Sequence, residues 1–194
     1  MVPTPTPTPD PEKAADDSRD IPVDKLTATA GNIELNSATE GAAELVLDGN
    51  INTYWHTDWA GWANRADHWI QFEVEDGYVV DGLRYLPRPN AGSENAFGVI
   101  TEFEILVSND GENWTKVADG EWANNPDWKL VEFDAQDVKY VRLMSIESIS
   151  DSRVFSSAAE IRLTGEEGEG TPDPTPTPTP DPTPTPTPDP TPTP

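Results

Sequence analysis

Thr-Pro dipeptides at both ends confine any fold to the middle of this chain. Residues 4–9 read TPTPTP, and residues 171–194 read TPDPTPTPTPDPTPTPTPDPTPTP. Proline locks φ near −65°, removes an amide donor and disfavours helix in the residue before it. Such a run forms no helix, pairs as no central strand and buries no core. It predicts an extended polyproline-II spacer at about 3.1 Å per residue, so the C-terminal run reaches up to roughly 70 Å. Residues 26–165 remain as one domain with a single core. Residues 1–25 and 166–194 are expected to be linkers, the former ending in a polar, charged stretch without lasting apolar period. This arrangement predicts one module of a larger extracellular protein.

Within the domain the apolar pattern has period two. Ile70, Phe72 and Val74 alternate with Gln71, Glu73 and Glu75, and Phe103, Ile105 and Val107 with Glu104 and Ser108. Val131 and Phe133, Val141 and Leu143, and Ile161 and Leu163 repeat the pattern. Alternation means strands with one face buried and one wet. Asp76-Gly77, Asp81-Gly82, Asn109-Asp110-Gly111 and Asp119-Gly120 are expected turns between them. One short helical piece is expected at residues 42–47. Many short strands and turns predict an all-β jelly-roll sandwich.

The chain carries 36 acids against 12 bases, a net charge of −24. A field of that sign repels phosphate backbones and anionic lipid, which argues against nucleic acid and membrane surfaces as partners. A divalent cation or a neutral, hydroxyl-rich ligand suits it better. The chain has no cysteine, so it has neither disulfides nor a zinc–thiolate site. No apolar run approaches the length of a membrane-spanning helix. The N-terminus lacks the regions of a signal peptide, as expected if the export signal lies elsewhere in the parent protein.

Asp48-Gly49-Asn50-Ile51-Asn52-Thr53 places hard oxygen donors on a glycine-bearing loop. Calcium takes six to eight such oxygens in irregular geometry, although Asp-Gly-Asn is also a common turn. The same string continues into Tyr54-Trp55-His56-Thr57, and His68-Trp69-Ile70-Gln71-Phe72 follows. Later come Val107-Ser108-Asn109-Asp110-Gly111-Glu112-Asn113-Trp114, Lys139-Tyr140-Val141-Arg142-Leu143 and Ala159-Glu160-Ile161. In this order, over essentially the whole globular segment, these strings resemble the discoidin (coagulation-factor type C) superfamily. Within it the chain is most similar to bacterial family 32 carbohydrate-binding modules, eight-stranded sandwiches appended to secreted glycoside hydrolases.

The resemblance implies a buried structural calcium. Its ligands would be Asp48, Asn50, Thr53 and Glu160, with main-chain oxygens of Leu45 and Ala159. It also implies a site for galactose-type sugars (galactose, GalNAc, N-acetyllactosamine). Galactose-binding members use a histidine after a tryptophan, an arginine followed seven residues later by an asparagine, and a late aromatic ring. Here these would be His56, Arg88, Asn95 and Phe155. Arg88 offers a fork of donors, Asn95 donates and accepts, and His56 adds a donor or acceptor according to tautomer. Phe155 would offer a flat apolar face to the C–H face of a pyranose. Trp59 and Trp62 depart from the pattern; they either pack inside or enlarge the platform. Trp122 and Trp128 either fill the core or make a rim contact.

A glycosidase needs two carboxyls about 5–10 Å apart across the scissile bond. The acids here mostly alternate outward or sit in turns, and no GxSxG, HExxH or phosphate loop is present. His68 is expected to pack or cap a strand. The expected function is therefore noncatalytic: a monomeric, secreted bacterial module targeting a covalently linked glycoside hydrolase to galactose-containing glycans. The alternative is a protein- or cell-surface adhesion module of the same fold, which would leave His56, Arg88 and Asn95 scattered in space.

Overall fold

The computed structural model describes residues 11–60, 64–93, 96–151 and 153–168. The expected spacer at 171–194 lies outside them. The strands are β1 (Leu26–Ala30), β2 (Glu40–Gly41), β3 (Tyr54–His56), β4 (Trp69–Val74), β5 (Tyr78–Leu86), β6 (Ile100–Ser108), β7 (Thr115–Glu121), β8 (Lys129–Gln136), β9 (Tyr140–Ser148), β10 (Ser157–Ala158) and β11 (Glu160–Glu167). Five form an antiparallel sheet in the order β1-β4-β9-β6-β7, and three form a second sheet in the order β11-β5-β8. The short β10, β3 and β2 pair separately, with β3 at the centre. This is the expected sandwich.

The alternating residues explain how the sheets close on each other. Ile70, Phe72 and Val74 from β4, Phe103, Ile105 and Val107 from β6, and Val141 and Leu143 from β9 all point inward. Leu83, Tyr85, Val131, Ile161 and Leu163 meet them from the smaller sheet. Burying each such side chain stabilises the fold by about 1.5–3 kcal/mol before entropy is counted. Phe133, at the end of its alternating pair, is only partly buried. Trp122 stacks between Phe103 and Tyr85, with ring centroids 3.8 and 4.7 Å away, so it is a core residue. Trp128 lies under the Arg84 guanidinium, 4.4 Å from ring centroid to Cζ. The helical piece near residue 42 is a 3-10 turn, Ala43–Leu47.

Two of the four expected turns are strand interior. Asp81-Gly82 lies in β5 and Asp119-Gly120 in β7. A β-carbon on Gly82 would fall 2.5 Å from Thr164 Oγ1 and 2.9 Å from the Val131 carbonyl oxygen. Glycine is needed there because β8 and β11 crowd β5 from both sides, at a bulge between Val80 and Gly82.

The expected linker 1–25 is also corrected, from residue 11 onward. Pro11–Ala15 is helical, and Ala14 and Ile21 are 1 % and 2 % exposed. Ile21 joins the core cluster. Its amide donates to Leu163 O at 2.8 Å, while Asp20 bridges to Thr164. Buried Arg84 holds this strap twice, through Asp20 and through the Ala14 carbonyl at 3.0 Å. Burial pushes the Asp20 carboxyl up, against the pull of Arg84. Two apolar anchors ten residues or fewer apart leave no period to read; only the finished sheet gives them a surface.

Candidate functional site

Two-residue periodicity turns Tyr54 and His56 of β3 to one side, while Trp55 is wholly buried in the core. Trp55 Nε1 donates to Asn32 O at 3.0 Å, which fixes the strand to the 31–39 loop. His56 is 3 % exposed, and its Nδ1 stands 2.6 Å from Thr57 O. A carbonyl only accepts, so Nδ1 carries the proton and Nε2 keeps a lone pair. Burial lowers the His56 pKa and the Arg88 charge adds to that, while the Thr57 carbonyl opposes both. The imidazole is therefore a neutral acceptor.

Arg88 stands just beyond β5, between Pro87 and Pro89. Its Nη1 donates to Phe97 O and its Nη2 to the Tyr54 hydroxyl, both at 3.0 Å. Its Cζ lies 4.8 Å from the centroid of the Tyr54 ring. The buried Nε has no hydrogen-bond partner among the described residues. Burial first, then Glu40, pushes the Tyr54 phenol up to about 12, so it stays protonated. Arg88 thus closes the 88–97 loop on itself and ties it to β3. Asn124 braces the same loop from outside, accepting from Gly92 N at 2.8 Å.

Phe155 does not present the expected open face. It is 4 % exposed, 5.4 Å from the His56 ring and 6.4 Å from the Phe97 ring by centroid. The Arg153 guanidinium lies over it at 5.0 Å. Among the described residues of this neighbourhood, Trp59 is the exposed aromatic, 41 % exposed as a residue. Its amide donates to Glu34 Oε2 at 2.9 Å, and its carbonyl accepts from Arg153 Nη1 at 3.4 Å. Asn95 and Trp62, the other two expected sugar-site residues, lie outside the described residues. His68 is fully buried, with Nδ1 2.8 Å from Ser156 Oγ, in keeping with a packing role.

The fold thus joins His56, Arg88 and Phe155 through Tyr54 and Phe97, two residues that motif reasoning passed over. The signal for Tyr54 was present, because it shares a strand face with His56. Glu34 and Arg153 both meet backbone atoms of Trp59, and Arg153 also lies over Phe155; no spacing announces these contacts.

The other expected site lies at the start of β11. Asp48 Oδ1 accepts from Asn50 N at 2.8 Å, and the Thr53 hydroxyl sits 2.6 Å from Asp48 Oδ2 and 2.8 Å from Asn50 O. Glu160 is 2 % exposed, and neither carboxylate oxygen has a well-aligned hydrogen bond among the described residues. Arg162 Nη1 stands 2.8 Å from Oε2, yet it also donates to Val46 O and Ile161 O. Burial pushes the Glu160 carboxyl up; Arg162 draws it down, and Asp48 pushes it further up. Leu45 lies in the adjoining 3-10 turn, and Ala159 is wholly buried. A buried, under-bonded carboxylate near Asp48, beside neutral oxygens, is a donor set that fits a hard cation.

Comparison with known proteins matches the same segment. The F5/8 type C domain model matches residues 27–161. A sialidase of Micromonospora viridifaciens is 30 % identical over 139 residues, 69 % of this chain and 20 % of the relative. An A type blood N-acetyl-α-D-galactosamine deacetylase of Flavonifractor plautii is 32 % identical over 144 residues, 74 % of this chain and 18 % of the relative. The chain therefore spans about a fifth of the length of these curated relatives. Among solved structures, CpGH89CBM32-5 from Clostridium perfringens, in complex with GalNAc-β-1,3-galactose, has a TM-score of 0.64 at 30 % identity. That match covers 75 % of this chain and 99 % of the other. The family 32 module of Clostridium perfringens NanJ, in complex with galactose, has a TM-score of 0.61 at 30 % identity, covering 75 % and 97 %. With its sandwich and a family match that runs over residues 27–161, this chain belongs to the F5/8 type C domain family and is similar to the family 32 carbohydrate-binding modules.

Proposed function

We propose that this chain is a noncatalytic module that binds galactose-type sugars and holds a larger secreted bacterial glycoside hydrolase on its glycans. The observation that carries this reading is the convergence of Arg88 and His56 on Tyr54. Arg88 supplies fixed donors, and neutral His56 supplies an acceptor. A hydroxyl both donates and accepts, so adjacent ring hydroxyls satisfy both groups at once. Asn95 is assigned to the same cluster on sequence grounds, and the axial 4-hydroxyl of galactose is the feature it would favour. The two solved modules named above carry galactose or a GalNAc-galactose disaccharide, and the chain aligns with nearly their full length. A pure adhesion module has no need of this convergence.

Asp48, Asn50, Thr53 and Glu160, with carbonyls of Leu45 and Ala159, would hold a calcium ion joining the early loop to β11. Its role is structural: it would neutralise Glu160 and fix the loop that leads into β3. A single sugar on such a site binds weakly, with Kd on the order of 0.1–1 mM, and the module gains from linkage to its enzyme. The test is a glycan array probed with the calcium-loaded chain. Selective retention of terminal galactose or GalNAc, lost in Arg88→Ala, supports the reading; retention indifferent to that substitution overturns it.

A further inference from the structure

Lys129 is a buried cation that grips a loop instead of a carboxylate. It opens β8 and is 6 % exposed. Its Nζ donates to Asp127 O at 2.6 Å, to Asn125 O at 3.2 Å and to Asn125 Oδ1. An ammonium has three donors and no acceptor, and these three partners are all neutral oxygens. Burial lowers the Lys129 pKa, and the Asp127 charge opposes that. Burying such a charge costs free energy, which charge-assisted hydrogen bonds to the loop offset.

The gripped segment leans on the loop that carries Arg88. Asn125 N donates to Ala123 O at 3.0 Å and Asp127 N to Asn125 Oδ1 at 3.3 Å, so residues 123–127 close into a turn. From this turn Asn124 Oδ1 accepts from Gly92 N at 2.8 Å. Gly92 has a φ of +84°, and a β-carbon there would lie 3.7 Å from Asn124 O and 3.8 Å from both Asn125 Cα and Pro126 Cδ. The two backbones therefore face each other at close range. At the base of the same loop Arg88 O accepts from Ala91 N, and Arg88 Nη1 donates to Phe97 O, both at 3.0 Å. Arg88 thus holds the base of the 88–97 loop, while Asn124 holds it at Gly92. A loop fixed at both places before binding presents its guanidinium without a further ordering cost.

We infer that Lys129 is a positioning residue for the proposed sugar site. It fixes the 123–127 turn so that Asn124 holds Gly92, and through Gly92 it steadies the loop that presents Arg88. This inference rests on the galactose reading above.

The test uses the full chain as native protein, Asn124→Ala, Lys129→Met and the double variant, with melts to verify folding. Titration with galactose and amide hydrogen exchange at Gly92, followed by NMR, are measured on each. Each single substitution is expected to weaken galactose binding about threefold to tenfold, the scale of one hydrogen bond, and to speed exchange at Gly92. The double variant is expected to bind no more weakly than the weaker single, because residues acting through one another are not additive. Losses that multiply in the double variant overturn the inference alone, as does Lys129→Met with unchanged affinity and unchanged Gly92 exchange. Asn124→Ala leaves the buried amine untouched, so unchanged galactose affinity in it overturns the inference even if Lys129→Met fails to fold. Absence of galactose binding by the native chain overturns the galactose reading and this inference together.

Discussion

The Arg88 guanidinium donates to the Tyr54 hydroxyl at 3.0 Å, with its Cζ 4.8 Å from the same ring's centroid. One aromatic side chain therefore aims the cation of the proposed sugar site. Tyr54→Phe keeps the ring and removes the acceptor. It is expected to weaken galactose binding several-fold, about 1 kcal/mol for one hydrogen bond, with a small change in melting temperature. Calorimetry and a melt on the same sample check this. Unchanged affinity would mean that Phe97 alone orients Arg88.

Phe155 packs against His56 and Phe97, so its removal strikes the fold as well as the site. Phe155→Ala is expected to cost about 3 kcal/mol of stability, the cavity cost of a buried aromatic ring. Chemical denaturation measures this. A loss below about 0.5 kcal/mol, the scale of an exposed substitution, would contradict the packing described.

Much of this was legible in the residues. The period-two runs at residues 70–74, 103–107 and 141–143 name the core because an antiparallel sandwich has one dry face per strand. The Asp48–Thr57 string carries residues of both proposed sites. What failed was local reasoning about tertiary effects. Asp-Gly favours a turn in isolation, but Gly82 serves the close approach of Thr164 and the Val131 backbone. Phe155 was expected to be open because a ring in a late loop has no visible cover; Arg153 supplies it. The strap around Ile21 has no periodicity, since its partner surface exists only once β5 and β11 have paired.

That strap gives a direct test of the domain boundary. A chain beginning at residue 26 exposes the surface that Ala14 and Ile21 cover and leaves Arg84 without Asp20. It is expected to be less stable than the full chain, and Ile21→Ala alone to cost about 2–4 kcal/mol. Equal denaturation midpoints would show that the strap contributes nothing.

His56 sets a pH dependence. Its folded pKa is lowered, so the unfolded chain takes up a proton near the ordinary value of 6.5 before the folded protein does. The stability contributed by neutral His56 is complete above about 6.5 and is lost as pH falls toward the lowered folded value. In the proposed site the Nε2 lone pair accepts from a sugar hydroxyl, so affinity for galactose is expected to hold at pH 6.5 and fall only in more acid solution. Isotherms taken from pH 7.5 downward check it; a midpoint at or above 6.5 would remove His56 as the acceptor.

Chelation addresses the Asp48–Glu160 pair. A cation bound only by the native state raises its stability in proportion to ln(1 + [L]/Kd). Calcium is expected to raise the melting temperature of chelator-treated protein, and Glu160→Gln to reduce that response. Identical melts with and without calcium would argue against an exchangeable ion at this site.

Titration of the full chain with galactose, beside Arg88→Ala, decides whether the β3 cluster is a sugar site. The proposed site is expected to give a Kd on the order of 0.1–1 mM for the native chain and no measurable heat for the variant, both proteins melting cooperatively. Equal affinity in the two would contradict it, because the donor fork on Tyr54 and Phe97 would then have no part in recognition.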